Sequence, residues 1–376
     1  MSRSLVIAIT AAESVTGGIA AVNRNILRVV GDLHKNCKVE ILSLHENNRD
    51  RPKYLPPQVK FSGCEGNKLL FSLLLIRYSL RRSFFIFDHV TLALPVLPFA
   101  MVGILKTMIV AHGSESWQRV RPLSRWSFRT ASLILANSGF TKQKMEDFRV
   151  KGNIVACPLG LSPDMRLNEE VPLIPAENLE LMAADGSVST IEDRMLLLVA
   201  RIHPGEREKG HDQILEVAKE LATEFPDVQF VFAGPGEDRD RLASEAKEKG
   251  VGSIVFLPGR VAQSLLEDLF QRCYAYVMPS RQEGFGLVHL EAMNFGKACL
   301  ACRNDGAADV VLDEETGILV SNPDDRKELL VALRKLLLSP DRTNRLGRAG
   351  FRRLHENFTS ECVQERFLRH FELFIL

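Results

Sequence analysis

Short apolar runs alternate with turns rich in glycine, proline, serine and aspartate, and each turn leads into a helical pattern. The runs are nearly continuous rather than alternating, which is typical of strands buried on both faces in a parallel sheet flanked by helices. Right-handed strand–helix–strand crossovers then give doubly wound α/β domains, which bind ligands at the carboxyl ends of their strands. The predicted strands are Leu5–Thr10, Val39–Leu44, Phe84–Asp88, Thr107–Ala111, Leu133–Ala136 and Ile154–Ala156, then Met195–Val199, Gln229–Ala233, Ile254–Leu257, Ala275–Met278 and Lys297–Ala301.

A polar, acidic segment separates the two sets of strands. Residues 166–194 contain two prolines and no predicted strand, so we interpret them as a linker with a loop inside it. The predicted domains are residues 1–170 and 171–359, with a cleft between facing strand ends, where one domain can hold a nucleotide while the other presents an acceptor. A last amphipathic helix, within 360–376, is expected to pack back on the first domain.

Charge divides the chain in the same way. The 376 residues are 45% hydrophobic and 25% charged, as in ordinary globular proteins, and the net charge of +1 argues against nucleic-acid binding. Residues 1–165 carry 22 lysines and arginines against 11 acids, whereas residues 166–376 carry 26 against 36. The excess of positive charge in residues 1–165 has two interpretations: ordinary solvated helix faces, or contact with an anionic membrane or a phosphorylated lipid acceptor. The basic clusters are Arg77, Arg81 and Arg82, and Arg121, Arg125 and Arg129.

The cysteines and apolar runs indicate the compartment. Seven thinly spread cysteines predict no disulfide framework and a reducing environment. Cys299 and Cys302 have the spacing of a redox motif, but without a second pair we interpret them as small residues on a buried strand. With no signal-peptide pattern and no run long enough to span a bilayer, we expect a cytoplasmic protein, peripheral on the inner membrane surface if the membrane hypothesis holds.

One stretch combines a glycine turn with two spaced carboxylates. It runs Pro279-Ser-Arg-Gln-Glu-Gly-Phe-Gly-Leu-Val-His-Leu-Glu-Ala-Met293, directly after a predicted strand. The turn leads into a helix over 287–295, whose unpaired N–H groups and partial positive charge suit a phosphate. Glu283 and Glu291 are about 12 Å apart at 1.5 Å per residue, close to the length of a sugar–diphosphate–ribose unit. Each glutamate alone also fits a helix cap or an exposed helix position.

These residues resemble the Glu-x7-Glu motif of the family-four retaining glycosyltransferases, the glycosyl transferases group 1, which have the GT-B fold. The resemblance implies two Rossmann-like doubly wound domains facing a central cleft. It also implies that Glu283 orients the donor sugar and that Glu291 binds the ribose of a nucleotide-diphosphate sugar. The residues that it places around the donor diphosphate are Gly284, Phe285, Gly286 and Leu287.

A basic segment upstream resembles the family's strand–Arg…Lys-Gly motif. It runs from Val199 to Gly210, and the resemblance makes Arg201 and Lys209 the cations that neutralise the donor diphosphate. The loop between them also carries Arg207, which competes with Lys209 for that role. Three more segments resemble the family, in family order, and one departs from its usual pair of glycines followed by glutamate. The similar segments are 232–236, 255–261 and 316–320, and the departing one is 304–309.

The first half also carries candidate ligand contacts. Gly17 and Gly18 precede a predicted helix over 19–30, where bare backbone allows close approach of an anionic ligand, although a flexible turn explains them equally well. His112, at the end of a strand, resembles the family's cleft histidine, which would touch the transferred sugar near its reacting carbon. The residues expected near the donor base, mostly through backbone atoms, are Arg260 and Val261.

We expect neither a metal nor another cofactor. Asp238-Arg-Asp240 matches the metal signature of a different glycosyltransferase fold, but it opens a predicted helix, and capping is the favoured interpretation. Thr141 is likewise expected to cap a helix. Cations and helix N–H groups can stabilise a leaving diphosphate by themselves.

The resulting hypothesis is a retaining hexosyltransferase that moves a sugar from a nucleotide-diphosphate donor to a hydroxyl of a glycan or lipid-linked saccharide, as in polysaccharide biosynthesis. Two alternatives stay open: a sugar-nucleotide epimerase or hydrolase on the same fold, and a non-catalytic sugar-nucleotide-binding subunit. The joint presence of Arg201, Lys209, Glu283 and Glu291 favours an enzyme.

Overall fold

The chain folds into two compact units. The structure, a computed structural model, describes residues 4–15, 17–35, 37–81, 84–118 and 120–375. The first unit comprises the described residues up to Arg166 together with those from Phe358 onward, and the second unit is Leu167–Asn357.

The first unit is built on a seven-stranded parallel sheet in the order β3-β2-β1-β4-β5-β6-β7. Its strands are β1 (Ser4–Ile9), β2 (Lys38–Ser43), β3 (Lys60–Gly63), β4 (Phe84–Phe87), β5 (Thr107–Ala111), β6 (Leu133–Ala136) and β7 (Ile154–Ala156). Its helices in this part of the chain are α1 (Gly18–Arg28), α2 (Val30–His34), α3 (Lys68–Ser79), α4 (Leu97–Met101), α5 (Pro122–Thr130) and α6 (Gly139–Asp147).

The second unit has a six-stranded parallel sheet in the order β12-β11-β10-β13-β14-β15 and a separate hairpin of β8 and β9. Its strands are β8 (Glu180–Met182), β9 (Val188–Thr190), β10 (Arg194–Val199), β11 (Val228–Ala233), β12 (Val255–Gly259), β13 (Ala275–Val277), β14 (Ala298–Cys302) and β15 (Gly317–Val320). Its helices are α7 (His211–Glu224), α8 (Arg239–Glu248), α9 (Gln263–Arg272), α10 (Leu287–Asn294), α11 (Arg326–Leu337) and α12 (Pro340–Asn357).

Both sheets contain a point where the strand order reverses. In the first unit the reversal lies between β1 and β4, and in the second between β10 and β13. At such a point the connections leave neighbouring strands in opposite directions, which opens a crevice at the carboxyl ends of the strands. The loops that follow these four strands are therefore where ligands are expected.

The final helix, α13 (Ser360–Ile375), completes the first unit. Phe367 and Phe371 are fully buried, and the helix packs against α1 and α2. Gln364 donates a hydrogen bond to the Asn25 side chain over 3.2 Å. The helix lies where the apolar pattern predicts it, and Leu376 falls outside the described residues.

Every predicted strand is present, with ends shifted by two residues at most. Cys299 and Cys302 lie buried in β14, which confirms their interpretation as strand residues. Four strands had not been predicted: β3, β15, and the two strands of the hairpin, β8 and β9.

The interpretation of residues 166–194 as a linker without a strand is wrong. This segment contains β8 and β9, joined by a turn in which the Asp185 carboxylate accepts the Ser187 N–H over 2.9 Å. Gly186 adopts φ 98°, a conformation that favours glycine. Ala183 pairs with Phe256 of β12, so the hairpin belongs to the second unit.

Candidate active site

A salt bridge lies at the strand-order reversal of the second unit. Lys209 follows β10 through the 3-10 segment Pro204–Lys209, and Glu283 lies in the loop after β13. The Lys209 Nζ is 2.9 Å from the Glu283 Oε2, and the two side chains are 21% and 20% exposed. The structure thus brings together the cation and the carboxylate that the sequence assigns to the donor site.

Glycines hold the loops that carry this pair in close contact. A Cβ on Gly210, which has φ 102°, would lie 2.8 Å from Pro279 Cδ. A Cβ on Gly306, after β14, would lie 2.2 Å from the Gly284 carbonyl oxygen. The Gly306 N–H also donates to the Glu283 carbonyl oxygen over 2.7 Å. Gly210 thus packs against the Pro279 ring, and Gly306 packs against the backbone of Gly284; these two contacts position the loop that carries Glu283.

Opposing influences set the charges of the pair. Burial disfavours the ionised Glu283 carboxylate, but the Lys209 ammonium outweighs burial and holds the pKa of Glu283 below its ordinary value. Burial also disfavours the charged Lys209, and Glu283 outweighs it, so the pKa of Lys209 is raised. Among the described residues no second acceptor bonds Nζ, which leaves two of the three ammonium N–H donors for a ligand.

The helix α10 begins directly after the glycine turn. Gly286 precedes it at φ 95° and offers no side-chain cap. The first N–H groups of a helix have no partner within it and carry the positive end of its dipole, so an anion is favoured there. Behind the turn, His289 is fully buried, edge-on to the Tyr276 ring, and burial lowers its pKa to about 4. His289 is therefore a neutral packing group at physiological pH.

Glu291 lies further along α10, and its side chain is half-buried. Among the described residues, nothing forms a hydrogen bond or an ion pair with its carboxylate. Burial raises the pKa of Glu291 to about 7. A half-buried carboxylate that has no protein partner is suited to accept hydrogen bonds from a ligand's hydroxyl groups.

The other basic candidates do not join the Lys209–Glu283 pair. Arg201 is exposed, and its guanidinium pairs with Glu206 at 2.5 Å. Arg207 lies 3.5 Å from Asp238. Of the two candidates for the second cation, Lys209 contacts Glu283 and Arg207 does not. The residues expected near the base follow β12, with Arg260 exposed and Val261 half-buried.

A buried aspartate beside Glu283 was not identified from the sequence. Asp305 is fully buried, and its Oδ1 accepts the Ala307 N–H over 2.9 Å. Burial, together with the nearby charge of Glu283, raises the pKa of Asp305 well above its ordinary value. The available signal was its position in the loop after β14, within the segment that departs from the family pattern.

The first unit has its own polar cluster at the reversal between β1 and β4. Asp88, directly after β4, is fully buried and accepts hydrogen bonds at Oδ2 from the Thr10 N–H, at 2.8 Å, and from Asn23 Nδ2, at 2.6 Å. The His112 Nε2 lies 2.6 Å from the Asp88 carbonyl oxygen. This contact fixes the orientation of the His112 ring at the carboxyl ends of the strands.

The glycine-led loop after β1 is already bonded to a carboxylate of the same chain. Glu46 is fully buried, and its Oε1 accepts N–H groups of the loop from Ala12, at 2.6 Å, and from Glu13. Gly17 and Gly18 are exposed at the start of α1, and Gly17 has φ 130°. This loop is organised internally, and its two glycines stay open on the surface.

One predicted helix cap is wrong, and another occupies the predicted position without the cap hydrogen bond. Asp238 is the N-cap residue of α8, with Asp240 in the first turn, but its carboxylate pairs with Arg241 at 2.7 Å and makes no cap hydrogen bond. Thr141 lies inside α6, where Ser138 is the capping residue and accepts the Thr141 N–H over 2.9 Å. Arg241 binds the carboxylate that would otherwise cap α8, and Ser138 is the residue that caps α6.

Solved structures of other proteins share this fold. A sucrose-phosphate synthase from Thermosynechococcus elongatus superposes with a TM-score of 0.76 over 99% of both chains, at 18% identity. HepE from Anabaena, solved with UDP-glucose, superposes with a TM-score of 0.71 over 98% of this chain and 99% of that one, at 15% identity. The fold is therefore GT-B, the fold of a large class of glycosyltransferases.

Sequence comparison then gives the family. The family model of the glycosyl transferases group 1 matches residues 188–353. A GDP-mannose-dependent alpha-(1-6)-phosphatidylinositol monomannoside mannosyltransferase from Mycolicibacterium smegmatis is 31% identical over 67% of this chain and 68% of that protein. The chain belongs to the group 1 glycosyltransferases.

Other relatives match over shorter stretches. A glycogen synthase from Mycobacterium tuberculosis is 32% identical over 45% of this chain and 40% of that enzyme. An alpha-D-kanosaminyltransferase from Streptomyces kanamyceticus is 31% identical over 62% of this chain and 60% of that enzyme. The matches thus span less than two thirds of the length of these two relatives.

Proposed function

We propose that this glycosyltransferase moves a sugar from a nucleotide-diphosphate donor to a hydroxyl acceptor with retention of the anomeric configuration and without a metal. The observation that carries the proposal is the Lys209–Glu283 pair at the reversal between β10 and β13, beside the start of α10. A half-buried ammonium with spare donors and the N-terminus of a helix together suit a diphosphate.

Each candidate residue has a stated role in this proposal. Lys209 and the first amides of α10 bind the diphosphate, with Arg201 released from Glu206 as a second cation. Glu283 orients the donor sugar, and Glu291 accepts both ribose hydroxyls. His112 contacts the sugar near its reacting carbon. The residues that complete the donor site are Gly17, Gly18, Gly284, Phe285, Gly286 and Leu287, with Arg260 and Val261 near the base.

The chemical step takes place on one face of the sugar. The acceptor oxygen bonds to the anomeric carbon as the bond to the phosphate oxygen breaks, and the acceptor proton passes to that phosphate oxygen. Negative charge grows on the leaving diphosphate, where Lys209 and the helix amides stabilise it. These groups are in place before the reaction, so little reorganisation is required.

The donor nucleoside can be uridine, guanosine or adenosine. HepE was solved with UDP-glucose, and the mannosyltransferase relative is GDP-mannose-dependent. Protection of the full chain against thermal unfolding by equal concentrations of UDP, GDP and ADP ranks the three, because the ligand that binds the folded chain most tightly stabilises it most.

Acceptor-dependent transfer tests the proposal against its alternatives. Nucleotide release that requires an added saccharide supports a transferase, release without an acceptor supports a hydrolase, and binding without turnover supports a silent subunit. Retention is checked by NMR of the anomeric proton of the product. Lys209→Ala and Glu283→Ala are expected to lower turnover about 100-fold or more. Lys249→Ala, which removes a lysine paired with Glu216, is the matched control, and near-normal turnover in the first two variants would overturn the assignment.

We also propose that the acceptor is a glycan or a lipid-linked saccharide and that the basic first unit makes peripheral contact with an anionic membrane. The mannosyltransferase relative is named for phosphatidylinositol monomannoside, a lipid-linked saccharide, which supports this acceptor class. In the described part of the chain, no helix has both the length and the apolar content to cross a bilayer.

A further inference from the structure

The helix α3 is apolar around its whole circumference but is covered on one side. Its sequence, Lys-Leu-Leu-Phe-Ser-Leu-Leu-Leu-Ile-Arg-Tyr-Ser, contains seven large apolar residues before Arg77. Phe71 and Leu75 pack into the core of the first unit, whereas Leu69 is 71% exposed. Leu73 and Leu80, also exposed, continue one stripe along the same side. A helix that is apolar all round normally has apolar surroundings on every side.

Elements that pack near α3 also expose apolar side chains. The helix α3 packs against the 3-10 segment Val90–Val96, and this segment packs against α4 and α5. At the end of α4 and just after it, Met101, Val102 and Ile104 are exposed, and α5 exposes large apolar side chains of its own. We call this set the apolar face; its members are Leu69, Leu70, Leu73, Leu80, Met101, Val102, Ile104, Leu123 and Trp126. A gathering of exposed apolar side chains marks an interaction site.

The charged residues in the segments that carry the apolar face all have one sign. The segments 68–81, 90–106 and 120–131 contain seven lysines and arginines and no aspartate or glutamate. Within the described residues, none of these seven forms an ion pair with an acid. Arg129 lies over the Trp126 ring, 5.0 Å from its centroid. The seven are Lys68, Arg77, Arg81, Lys106, Arg121, Arg125 and Arg129, and Arg82 lies outside the described residues.

Apolar side chains, unpaired cations and an exposed tryptophan together match the chemistry of a bilayer surface. Lysine and arginine bind lipid phosphates while their stems lie along apolar surface, and tryptophan prefers the headgroup level. The negative surface potential of an anionic leaflet attracts such basic side chains, by about 1 kcal/mol for each lysine or arginine near the surface.

We propose that the apolar face docks on an anionic lipid bilayer, with its leucines and Trp126 entering the boundary between headgroups and acyl chains. This goes beyond the electrostatic contact proposed above, because it assigns the surface and adds insertion of apolar side chains. The site belongs to the first unit alone, so vesicle binding needs neither the donor nor the Lys209–Glu283 pair.

Vesicle flotation of the full chain tests the docking surface. Phosphatidylcholine vesicles are compared with vesicles in which part of the lipid is phosphatidylglycerol. Leu69→Ser/Leu73→Ser is expected to weaken binding to the anionic vesicles about tenfold or more, because burial of each leucine is lost. Leu373→Ser is the matched control, since Leu373 is 66% exposed on α13. The helix α13 packs against α1, on the side of the sheet opposite to α3. Unchanged binding of the double variant would overturn the proposal, as would failure of the unaltered chain to bind anionic vesicles.

Tryptophan fluorescence tests insertion separately. The chain has two tryptophans, of which Trp117 is buried and Trp126 is exposed. Anionic vesicles are expected to shift the emission to shorter wavelength, and Trp126→Phe is expected to abolish the shift. Binding without a shift, fully reversed by high salt, would show electrostatic adsorption only and would refute insertion. Because nucleotide protection is measured without lipid, failure of the donor-site proposal would be seen independently.

Discussion

The Lys209 ammonium and the Glu283 carboxylate, 74 residues apart in the sequence, lie 2.9 Å from each other across the strand-order reversal of the second unit. Each group keeps the other charged in a half-buried position. The pair therefore presents a cation and an anion side by side, one suited to a phosphate and the other to sugar hydroxyls.

Removing one partner is expected to cost more stability than removing both. Lys209→Met or Glu283→Gln leaves a half-buried charge unpaired, whereas the double variant leaves none. We expect a coupling free energy of about 1–3 kcal/mol in a double-mutant cycle measured by urea unfolding. The more exposed Lys249–Glu216 pair is the control and should couple by less than about 1 kcal/mol. Equal coupling in the two pairs would contradict this account of burial.

Glu291 makes stability depend on pH. Burial raises its pKa to about 7 in the folded chain, so the folded state holds a proton that the unfolded state releases near pH 4.5. The free energy of unfolding therefore falls as pH rises from about 4.5 to about 7. Glu291→Gln should remove this loss and be about 1–2 kcal/mol more stable than the unaltered chain at pH 8, with little difference at pH 4. Glu248→Gln, a surface change on α8, is the control, and a pH-independent difference for Glu291→Gln would refute the assignment.

Two glycine-to-alanine changes should have opposite effects. At Gly306 the added Cβ would lie 2.2 Å from the Gly284 carbonyl oxygen, so the loop that carries Glu283 must move. We expect a loss of about 1–3 kcal/mol and weaker protection by nucleotide. At Gly31, in α2, the nearest atom is Pro56 Cγ at 3.6 Å, an ordinary contact, and a gain of about 0.5–1 kcal/mol is expected. Thermal unfolding with and without nucleotide measures both, and a neutral Gly306→Ala would show that the loop contact is dispensable.

Asp88 is expected to stabilise the first unit. Asp88→Ala removes the acceptor of the Thr10 N–H and one of the acceptors of Asn23 Nδ2, which also donates to the Ala11 carbonyl oxygen; the loss should lower the free energy of unfolding by about 2–4 kcal/mol. Asp88→Asn keeps one oxygen and should cost less. Urea unfolding compares the two variants, and equal losses would mean that the charge, not the hydrogen-bond geometry, decides.

His112 is expected to hold one tautomer. Its Nε2 faces the Asp88 carbonyl oxygen, which can only accept, so the neutral ring carries its hydrogen on Nε2 and leaves Nδ1 as an acceptor. Nitrogen-15 NMR of the imidazole distinguishes the tautomers. His112→Ala is expected to lower transfer while nucleotide protection is retained, and a hydrogen on Nδ1 would contradict the proposed geometry.

The buried strands were the most predictable part of the fold. Runs such as Leu196–Leu198 are apolar on both faces, and burial on both faces is what defines a central parallel strand. The edge strand β3, with the sequence Lys-Phe-Ser-Gly, has no such run and was missed. The hairpin of β8 and β9 was missed because its strands are short and half-exposed, although Asp185-Gly186 is a turn signal.

Side-chain partners were less predictable than strands. The sequence could not decide between Arg207 and Lys209, because both lie in one loop, and their partners come from elements far away in the chain. It also predicted caps at Asp238 and Thr141 from local spacing alone. The exposed side of α3 could not be predicted from the sequence either, because a helix that is apolar all round has no periodicity to show which face is covered.

The return of α13 to the first unit affects how the chain matures during synthesis. The second unit is continuous over Leu167–Asn357, so all of its residues are translated before α13. The first unit, although its translation starts earlier, lacks Phe367 and Phe371 until α13 is made, and the surface of α1 that packs against this helix has no cover until then. The unit whose synthesis begins first is thus the last to have all of its residues, and a nascent chain stalled before residue 360 would expose that apolar surface to chaperones.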